Sequence, residues 1–246
     1  MGHPWNSDDE FELKATPEEV WEAIASGPGI DSWFMGVSDV LPGVGGSINT
    51  DFGGYVQRSE ITAWEPHRHL AHTSEPSPDG RFIAFEYLLE AKDGGSTVMR
   101  QVVTGFLPGD DWDAEFEAML SGGQMYARTL RSYVDYFTGR FGVPVSAMVQ
   151  HPDFARAWAG MLADLGLPAD AAQGDTVTLT PSGREPITGV VDYLADGYLG
   201  VRTDDALYRF YRGFYGPGLG HHIFTEGADR AALDAEWLAW LESAVD

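Results

Sequence analysis

A short helix, a pair of large aromatic side chains and a series of alternating segments follow one another at the start of this chain and constrain its fold. Residues 16–24 predict the helix, because Thr16 can cap its first turn, Pro17 suits the first helical position and Glu19 completes a capping box. Apolar side chains recur at helical spacing on one face of that segment. Residues 30–34 predict one further helical turn, which ends on the two adjacent aromatic residues.

Segments with period-two alternation come next and predict an antiparallel sheet. The clearest is 81–91, in which the apolar side chains point to one side of the strand. Asp93-Gly94-Gly95 is typical of a hairpin turn, and residues 96–106 then form the returning strand. Shorter strand candidates lie at 10–14, 47–52, 55–64 and 69–74.

A long helical pattern closes this half of the chain. Apolar and aromatic side chains recur at helical spacing over 112–137, with an interruption at Ser121-Gly122-Gly123. Two adjacent glycines cost a helix about 2 kcal/mol relative to alanines, so we expect a break or hinge there and a closing helix over 123–138. The whole order predicts an α+β helix-grip fold, in which a curved antiparallel sheet surrounds the closing helix and leaves a hollow beside it.

The pattern restarts after residue 150 and predicts a smaller α+β domain. Helix candidates at 152–165 and 229–245 enclose strand candidates at 176–180, 187–194, 198–203, 206–214 and 221–225. The run Asp234-Ala235-Glu236-Trp237 echoes Asp113-Ala114-Glu115-Phe116, and the order helix, strands, helix recurs. The second half is therefore either a shortened repeat of the first or an unrelated module. The predicted boundaries are a first domain over 1–140, a linker over 141–150 and a second domain over 151–246.

Charge and composition exclude several function classes. The 246 residues carry 38 acidic and 15 basic side chains, a formal net charge of −23, and no basic stretch, so nucleic-acid binding is not expected. The absence of cysteine excludes disulfides, thiolate nucleophiles and Cys-ligated zinc. The first ten residues are polar and no stretch approaches the apolar length of a membrane span, so we expect a cytoplasmic protein without a signal peptide.

Four segments carry a family resemblance. Residues 17–24 resemble the opening of the SRPBCC superfamily of START-like helix-grip proteins, and Trp33-Phe34 lies where its bacterial heat-shock-ATPase-activator branch (AHSA-type) has a Trp-Phe pair. Residues 42–47 are similar to the Gly-Gly turn of that branch. Residues 61–71 are similar to the segment in which a Glu-Pro pair separates two of its strands. The resemblance covers residues 6–138.

The resemblance implies a strongly bent antiparallel sheet that grips the last helix, often with a pocket between them. Two features depart from it: Gly123-Gln124-Met125 replaces the Gly-Trp step that often opens the last helix, and residues 150–246 are additional to the usual single domain. Members bind lipids, hormones and polyketides, and some are aromatases, cyclases or co-chaperones, so the fold does not fix one activity.

Three functions are therefore open. The first is binding of a small, largely apolar ligand in a cavity between the curved sheet and the C-terminal helix. The second is a cyclase- or aromatase-like enzyme acting on a polyketide-like or lipid-like substrate. The third is a co-chaperone-like protein-interaction module.

Aromatic side chains supply the candidate site. A curved sheet over one helix rarely fills completely, so we expect a cavity there, and the alternative is a solid core of the same aromatic residues. A pocket on the order of several hundred cubic ångströms without an inward ionisable group would favour binding. The predicted wall consists of Trp33, Phe34, Trp64, Phe85, Tyr87 and Tyr126. An enzyme would need an acid or a base inside, and the candidates are Glu86, Arg100 and Tyr87. The alternative for Glu86 and Arg100 is an ion pair on the outer face of the sheet.

Neither a cofactor nor a metal is expected. His67, His69 and His72 are close in sequence, but their spacing does not enforce a metal site, and a solvated strand end is favoured. The Gly-rich loops 43–46 and 213–220 lack the Lys and the strand–loop–helix setting of a phosphate-binding loop. The expected partner is a small apolar molecule, and a homodimer or a protein partner stays open.

Overall fold

Two antiparallel sheets and five helices make up the part of the chain that the structure describes. The computed structural model describes residues 3–108, 112–213 and 216–245. The first half contains β1 (His3–Leu13), α1 (Pro17–Ala25), α2 (Gly27–Asp31), β2 (Val37–Leu41), β3 (Ser47–Asp51), β4 (Val56–Glu65), β5 (His69–Ser74), β6 (Phe82–Lys92), β7 (Ser96–Leu107) and α3 (Trp112–Tyr136). The second half contains β8 (Val143–Met148), α4 (Phe154–Leu165), β9 (Thr176–Leu179), β10 (Ile187–Ala195), β11 (Tyr198–Arg202), β12 (Ala206–Tyr211), β13 (Gly218–Ile223) and α5 (Arg230–Val245).

The first sheet has seven strands in the order β1-β7-β6-β5-β4-β3-β2. The predicted hairpin joins β6 to β7, and Gly94 and Gly95 both adopt the positive φ that this turn requires. A register shift between Ile61 and Ala63 marks a bulge in β4, which increases the local twist of the sheet. The α+β helix-grip fold predicted from the sequence is confirmed.

Helix α1 begins as predicted. The Thr16 amide donates to the Glu19 carboxylate at 2.8 Å, and the Glu19 amide donates to the Thr16 hydroxyl at 3.4 Å. This reciprocal capping box satisfies two amide groups of the first turn. The apolar face of the helix is then buried through Val20, Trp21 and Ile24.

The predicted break in the closing helix is wrong, because α3 runs without interruption through Gly122 and Gly123. Side chains that follow the two glycines are fully buried, among them Met125 and Leu130. Their burial offsets the cost of about 1 kcal/mol that each glycine imposes on a helix. Tertiary packing therefore decides the course of this helix.

The second sheet has six strands in the order β8-β13-β12-β11-β10-β9. Strand β8 lies inside the segment 141–150 that was expected to be a linker. One face of this sheet packs on α4 and α5 through residues such as Phe210, Leu219 and Trp237. The opposite face contributes Leu207 to the core that surrounds α3. Helix α3 consequently lies between the two sheets.

The connectivity of the second sheet repeats that of the first. In each sheet the first strand pairs with the last, the remaining strands follow as a meander, and helical residues separate the first strand from the second. Each sheet is also followed by a closing helix, α3 or α5. The second half has one strand fewer, so its topology favours the shortened repeat over an unrelated module. None of the helices in the described part of the chain combines the length and hydropathy needed to cross a membrane.

Candidate ligand-binding site

A small cavity lies beneath the first sheet. Its volume is about 40 Å³, and its lining comes from α1, α2, the residues after α2, and strands β3 to β6. The lining residues are Ile24, Ile30, Trp33, Phe34, Ile48, Thr50, Gln57, Ser59, His72, Phe85 and Tyr87. A water molecule needs about 10–15 Å³ of such volume, so this space corresponds to about three waters. The hollow expected from the sequence is therefore mostly filled by side chains of the protein itself, which is close to the alternative of a solid core.

Four of the six predicted wall residues line this cavity. The Trp33 indole is fixed by a hydrogen bond of 2.8 Å from its Nε1 to the Ala23 carbonyl, and its ring lies 5.4 Å from that of Phe34. Phe85 and Tyr87 point the same way from β6, and their rings are nearly parallel with centroids 6.4 Å apart. Strand alternation and one indole hydrogen bond thus fix the aromatic wall.

His72 also lines the cavity, whereas the sequence analysis favoured a solvated strand end for it. Its ring stacks on Phe85 at 5.1 Å, and its Nδ1 is buried without a hydrogen-bond partner among the described residues. Burial lowers the pKa of His72 to about 4, so the imidazole is uncharged at neutral pH. The signal in the sequence is the alternation of β5, since His72 shares its face with buried Leu70 and Ser74.

The polar side chains of Thr50, Gln57 and Ser59 complete the lining, and Ser38 and Gln101 hydrogen-bond to lining residues. The Thr50 hydroxyl lies 3.1 Å from that of Ser38, and Gln101 provides a hydrogen bond to Tyr87. Burial raises the pKa of Tyr87 above its ordinary value, which keeps its hydroxyl protonated. The cavity therefore combines an apolar wall with uncharged polar groups, a composition typical of small-molecule sites.

The cavity reaches the surface between partly exposed lining residues. Phe34, Gln57 and Phe85 are half-buried, and His72 is partly exposed although its Nδ1 is buried, whereas Trp33 and Tyr87 are buried. Next to this opening the Phe34 ring contacts Phe52, with centroids 6.3 Å apart. Rearrangement of these rings would be needed to admit a larger molecule.

Two predicted wall residues lie elsewhere. The Trp64 ring packs edge-on against Trp21 at 5.0 Å. Tyr126, on α3, contacts Phe34 at 4.9 Å, but its hydroxyl is buried near tyrosines of the second sheet and has no partner in the described part of the chain. Helix α3 thus does not line the cavity, which lies under α1 and α2 rather than against the C-terminal helix as expected.

Glu86 and Arg100 are on the outer face of the sheet. Nε2 of His69 lies 2.9 Å from the Glu86 carboxylate, and Arg100 forms a bidentate ion pair with Asp8. Strand alternation requires this orientation, because their neighbours Tyr87 and Gln101 point inward. Neither side chain lines the cavity, so an acid–base role there would need other groups.

A buried ion pair attaches α3 to the second sheet and was not predicted. The Arg209 guanidinium is fully buried and binds Asp192 through two hydrogen bonds of 3.0 and 2.8 Å. The Ser132 hydroxyl donates to the same carboxylate at 2.6 Å, and Nε of Arg209 donates to the Thr129 hydroxyl at 2.7 Å. Its members come from three distant segments, so sequence spacing carries no signal for it.

Residues 4–143 match the family model described as polyketide cyclase / dehydrase and lipid transport. The chain belongs to this family. A search of curated proteins found no match to this chain. The narrower AHSA-type assignment stays a prediction.

Several solved structures are similar to this family member. Protein MLL2253 from Mesorhizobium loti is 24% identical, covers 54% of this chain and 98% of its own, and has a TM-score of 0.47. The di-domain ARO/CYC BexL from the BE-7585A biosynthetic pathway is 10% identical, covers 98% of this chain and 99% of its own, and has a TM-score of 0.47. DynU16, from the dynemicin biosynthetic locus, is 18% identical, covers 98% of this chain and 97% of its own, and has a TM-score of 0.43.

Proposed function

We propose that this protein binds a small, largely apolar molecule in the cavity beneath the first sheet. Membership of a family described by cyclase, dehydrase and lipid-transport functions supports this class of ligand. The observation that carries the proposal is the unpartnered Nδ1 of His72 inside an aromatic wall. A buried polar atom without a partner is costly, and a ligand that hydrogen-bonds to it would remove that cost.

The size of the cavity sets a condition on binding. Sites for drug-sized ligands measure about 300–1,000 Å³, far more than the present 40 Å³. The half-buried rings of Phe34 and Phe85 lie at the opening, so their rotation is the simplest way to enlarge the site. The ligand then selects an open conformation that is a minor state of the free protein.

The polar lining sets a condition on the ligand. His72 and Tyr87 are both uncharged at neutral pH, so the site favours a molecule with one or two neutral polar groups over an anion or a cation. Each hydrogen bond adds about 1 kcal/mol, and most of the affinity would come from contact with the aromatic wall.

Titration with N-phenyl-1-naphthylamine, an uncharged apolar fluorophore, tests the proposal. We expect saturable fluorescence enhancement with the full-length protein and at least tenfold weaker binding to Gln57→Phe, because the added ring narrows the opening. The matched control is Arg58→Phe, which places the same ring on the exposed outer face of β4. The proposal fails if the wild type does not saturate, or if both variants bind equally well. Native mass spectrometry of gently purified protein would identify a molecule that co-purifies.

A cyclase-type enzyme is the second candidate, favoured by the uncharged His72 imidazole in the cavity. A neutral imidazole can accept a proton from a carbon between two carbonyl groups, and the carbanion can attack a third carbonyl of the same molecule. The buried, protonated Tyr87 hydroxyl could donate a hydrogen bond to the alkoxide that forms. His72→Phe would then abolish turnover of a polyketide-like substrate and leave binding of the neutral fluorophore within about threefold of the wild type. Unchanged turnover would exclude this role of His72.

A protein-interaction role has weaker support. Leu41, Val44 and Tyr55 are well exposed near the edge of the first sheet. Single exposed apolar side chains are common on protein surfaces, so this observation favours no particular partner.

A further inference from the structure

We propose that a crevice between α3 and the second sheet binds an oxyanion, the phosphate or carboxylate group of a small molecule. The crevice is called the basic crevice and is defined by Lys14, Arg128, Arg131 and Arg202. It is separate from the cavity beneath the first sheet and shares no lining residue with it. The proposal therefore does not depend on the function proposed above.

Two adjoining depressions form the basic crevice. One measures about 300 Å³ and the other about 390 Å³, and both are lined by Arg128, Arg131 and Gln173. The first extends to Arg202 on β11, and the second to Phe11 on β1. The crevice is thus a groove along α3, large enough for a small organic anion.

The concentration of positive charge is unusual for this chain. Four of its 15 basic side chains line one crevice, although the net charge of the chain is −23. Such a surface repels anions over a distance, but exposed charges are screened beyond about 8 Å at physiological salt. The local cations therefore decide what binds inside the groove.

The acidic residues of the crevice neutralise only one of these cations, Arg131, which pairs with Asp135. Asp192 is already bound to Arg209 and Ser132, and Asp135 accepts the Lys14 main-chain amide at 2.9 Å. Arg131 lies 3.7 Å from the Asp135 carboxylate. Asp9 lines the outer depression.

The remaining cations of the crevice lack a carboxylate partner. Among the described residues, no carboxylate lies within ion-pair distance of Lys14, Arg128 or Arg202. Arg128 instead donates from Nε to the Asp192 main-chain carbonyl at 3.0 Å. A group of cations without counter-charge is unfavourable until an anion enters.

Arg202 gives the second, independent indication. Its guanidinium carbon lies 3.6 Å from the centroid of the Tyr136 ring. This cation–π contact fixes the position of the guanidinium group at the crevice. Its Nε is buried and has no hydrogen-bond partner in the described part of the chain. A positioned guanidinium is the group that binds phosphate or carboxylate through two parallel hydrogen bonds.

The rest of the lining defines the body of the ligand. Tyr136, Val190 and Val191 lie beside Arg202, and Phe11 and Tyr193 lie in the other depression. The combination fits a molecule with one oxyanion group and an apolar or aromatic body. A phosphate ester and a carboxylic acid share this chemistry.

Thermal unfolding of the full-length protein with inorganic phosphate and with succinate, each against sodium chloride at equal ionic strength, tests the proposal. For the anion that binds, we expect a rise in Tm of about 3–6 °C at tenfold excess over its Kd. Stabilisation by phosphate alone identifies a phosphate group, and stabilisation by succinate alone identifies a carboxylate group.

The double variant Lys14→Gln/Arg131→Gln should lose this shift, and both side chains are accessible enough for the fold to tolerate the change. Arg58→Gln/Arg68→Gln removes two exposed charges elsewhere and should retain it. The proposal is overturned if neither anion exceeds chloride, or if both double variants lose the shift equally. Binding of the neutral fluorophore should be the same in both double variants, which separates this result from any failure of the apolar site.

Discussion

His72 brings an imidazole into the cavity beneath the first sheet, and its protonation should affect stability. Burial lowers its pKa from 6.5 to about 4 in the folded protein. Between about pH 6.5 and 4 the unfolded chain therefore binds the proton more readily, so the free energy of unfolding falls as the pH falls. Buried His221 and His222 act in the same direction, because burial also lowers their pKa.

His72→Phe should weaken this acid sensitivity, because it removes one titrating group and keeps a ring stacked on Phe85. We expect the loss of unfolding free energy between pH 6.5 and 4 to be about 1–3 kcal/mol smaller than in the wild type, as measured by urea unfolding at each pH. His151→Gln, outside both cores, is the control and should follow the wild type. Equal pH slopes for His72→Phe and the wild type would contradict the assigned burial of this ring.

Helix α3 shows what sequence reasoning can and cannot provide for a single element. The helical spacing of its apolar side chains predicted its existence and extent, whereas the glycine pair led to the wrong expectation of a break. The outcome depends on Met125 and Leu130, whose burial is supplied by partners far away in sequence. Strand β2 was missed for a related reason: five residues at a sheet edge, with Val37 and Leu41 exposed, leave little pattern to detect.

Gly123→Ala should stabilise the protein, because an added Cβ there meets no atom within 4 Å and the helix continues on both sides. We expect an increase in unfolding free energy of about 0.5–1 kcal/mol, measured by denaturant titration. Gly105→Ala is the opposing control, since its Cβ would lie 2.6 Å from the Trp5 ring. If Gly122 and Gly123 act as a hinge that opens the cavity, Gly123→Ala will instead slow association of the neutral fluorophore, which a rigid α3 does not predict.

At the scale of the whole molecule, the features that could be predicted are those determined by residues close together in sequence. The β6–β7 hairpin, the cap of α1 and the order of elements in both halves are set by neighbouring residues. The buried pair of Arg209 and Asp192 and the basic crevice are different, because their members meet only after the two sheets enclose α3. The sequence contains no basic stretch for the same reason, because Lys14, Arg128 and Arg202 are far apart in the chain.

The position of α3 between the two sheets predicts that both halves of the chain unfold together. Met125 and Leu130 share one core with Leu207 and Phe224 of the second half, and Asp192 accepts from Ser132 on the helix. Differential scanning calorimetry should therefore give one transition, with equal calorimetric and van't Hoff enthalpies.

Asp192→Asn should change this behaviour, because it leaves the buried Arg209 charge without its counter-ion. Breaking a buried ion pair costs about 3–5 kcal/mol. Since that cost falls at the contact between α3 and the second sheet, we expect the single transition to separate into two, with the second half melting first. Leu165→Ala creates a cavity in the core of the second half away from α3 and should lower the one transition without dividing it. Two transitions in the wild type would mean that each sheet folds with its own closing helix, and that the contact across α3 adds little to stability.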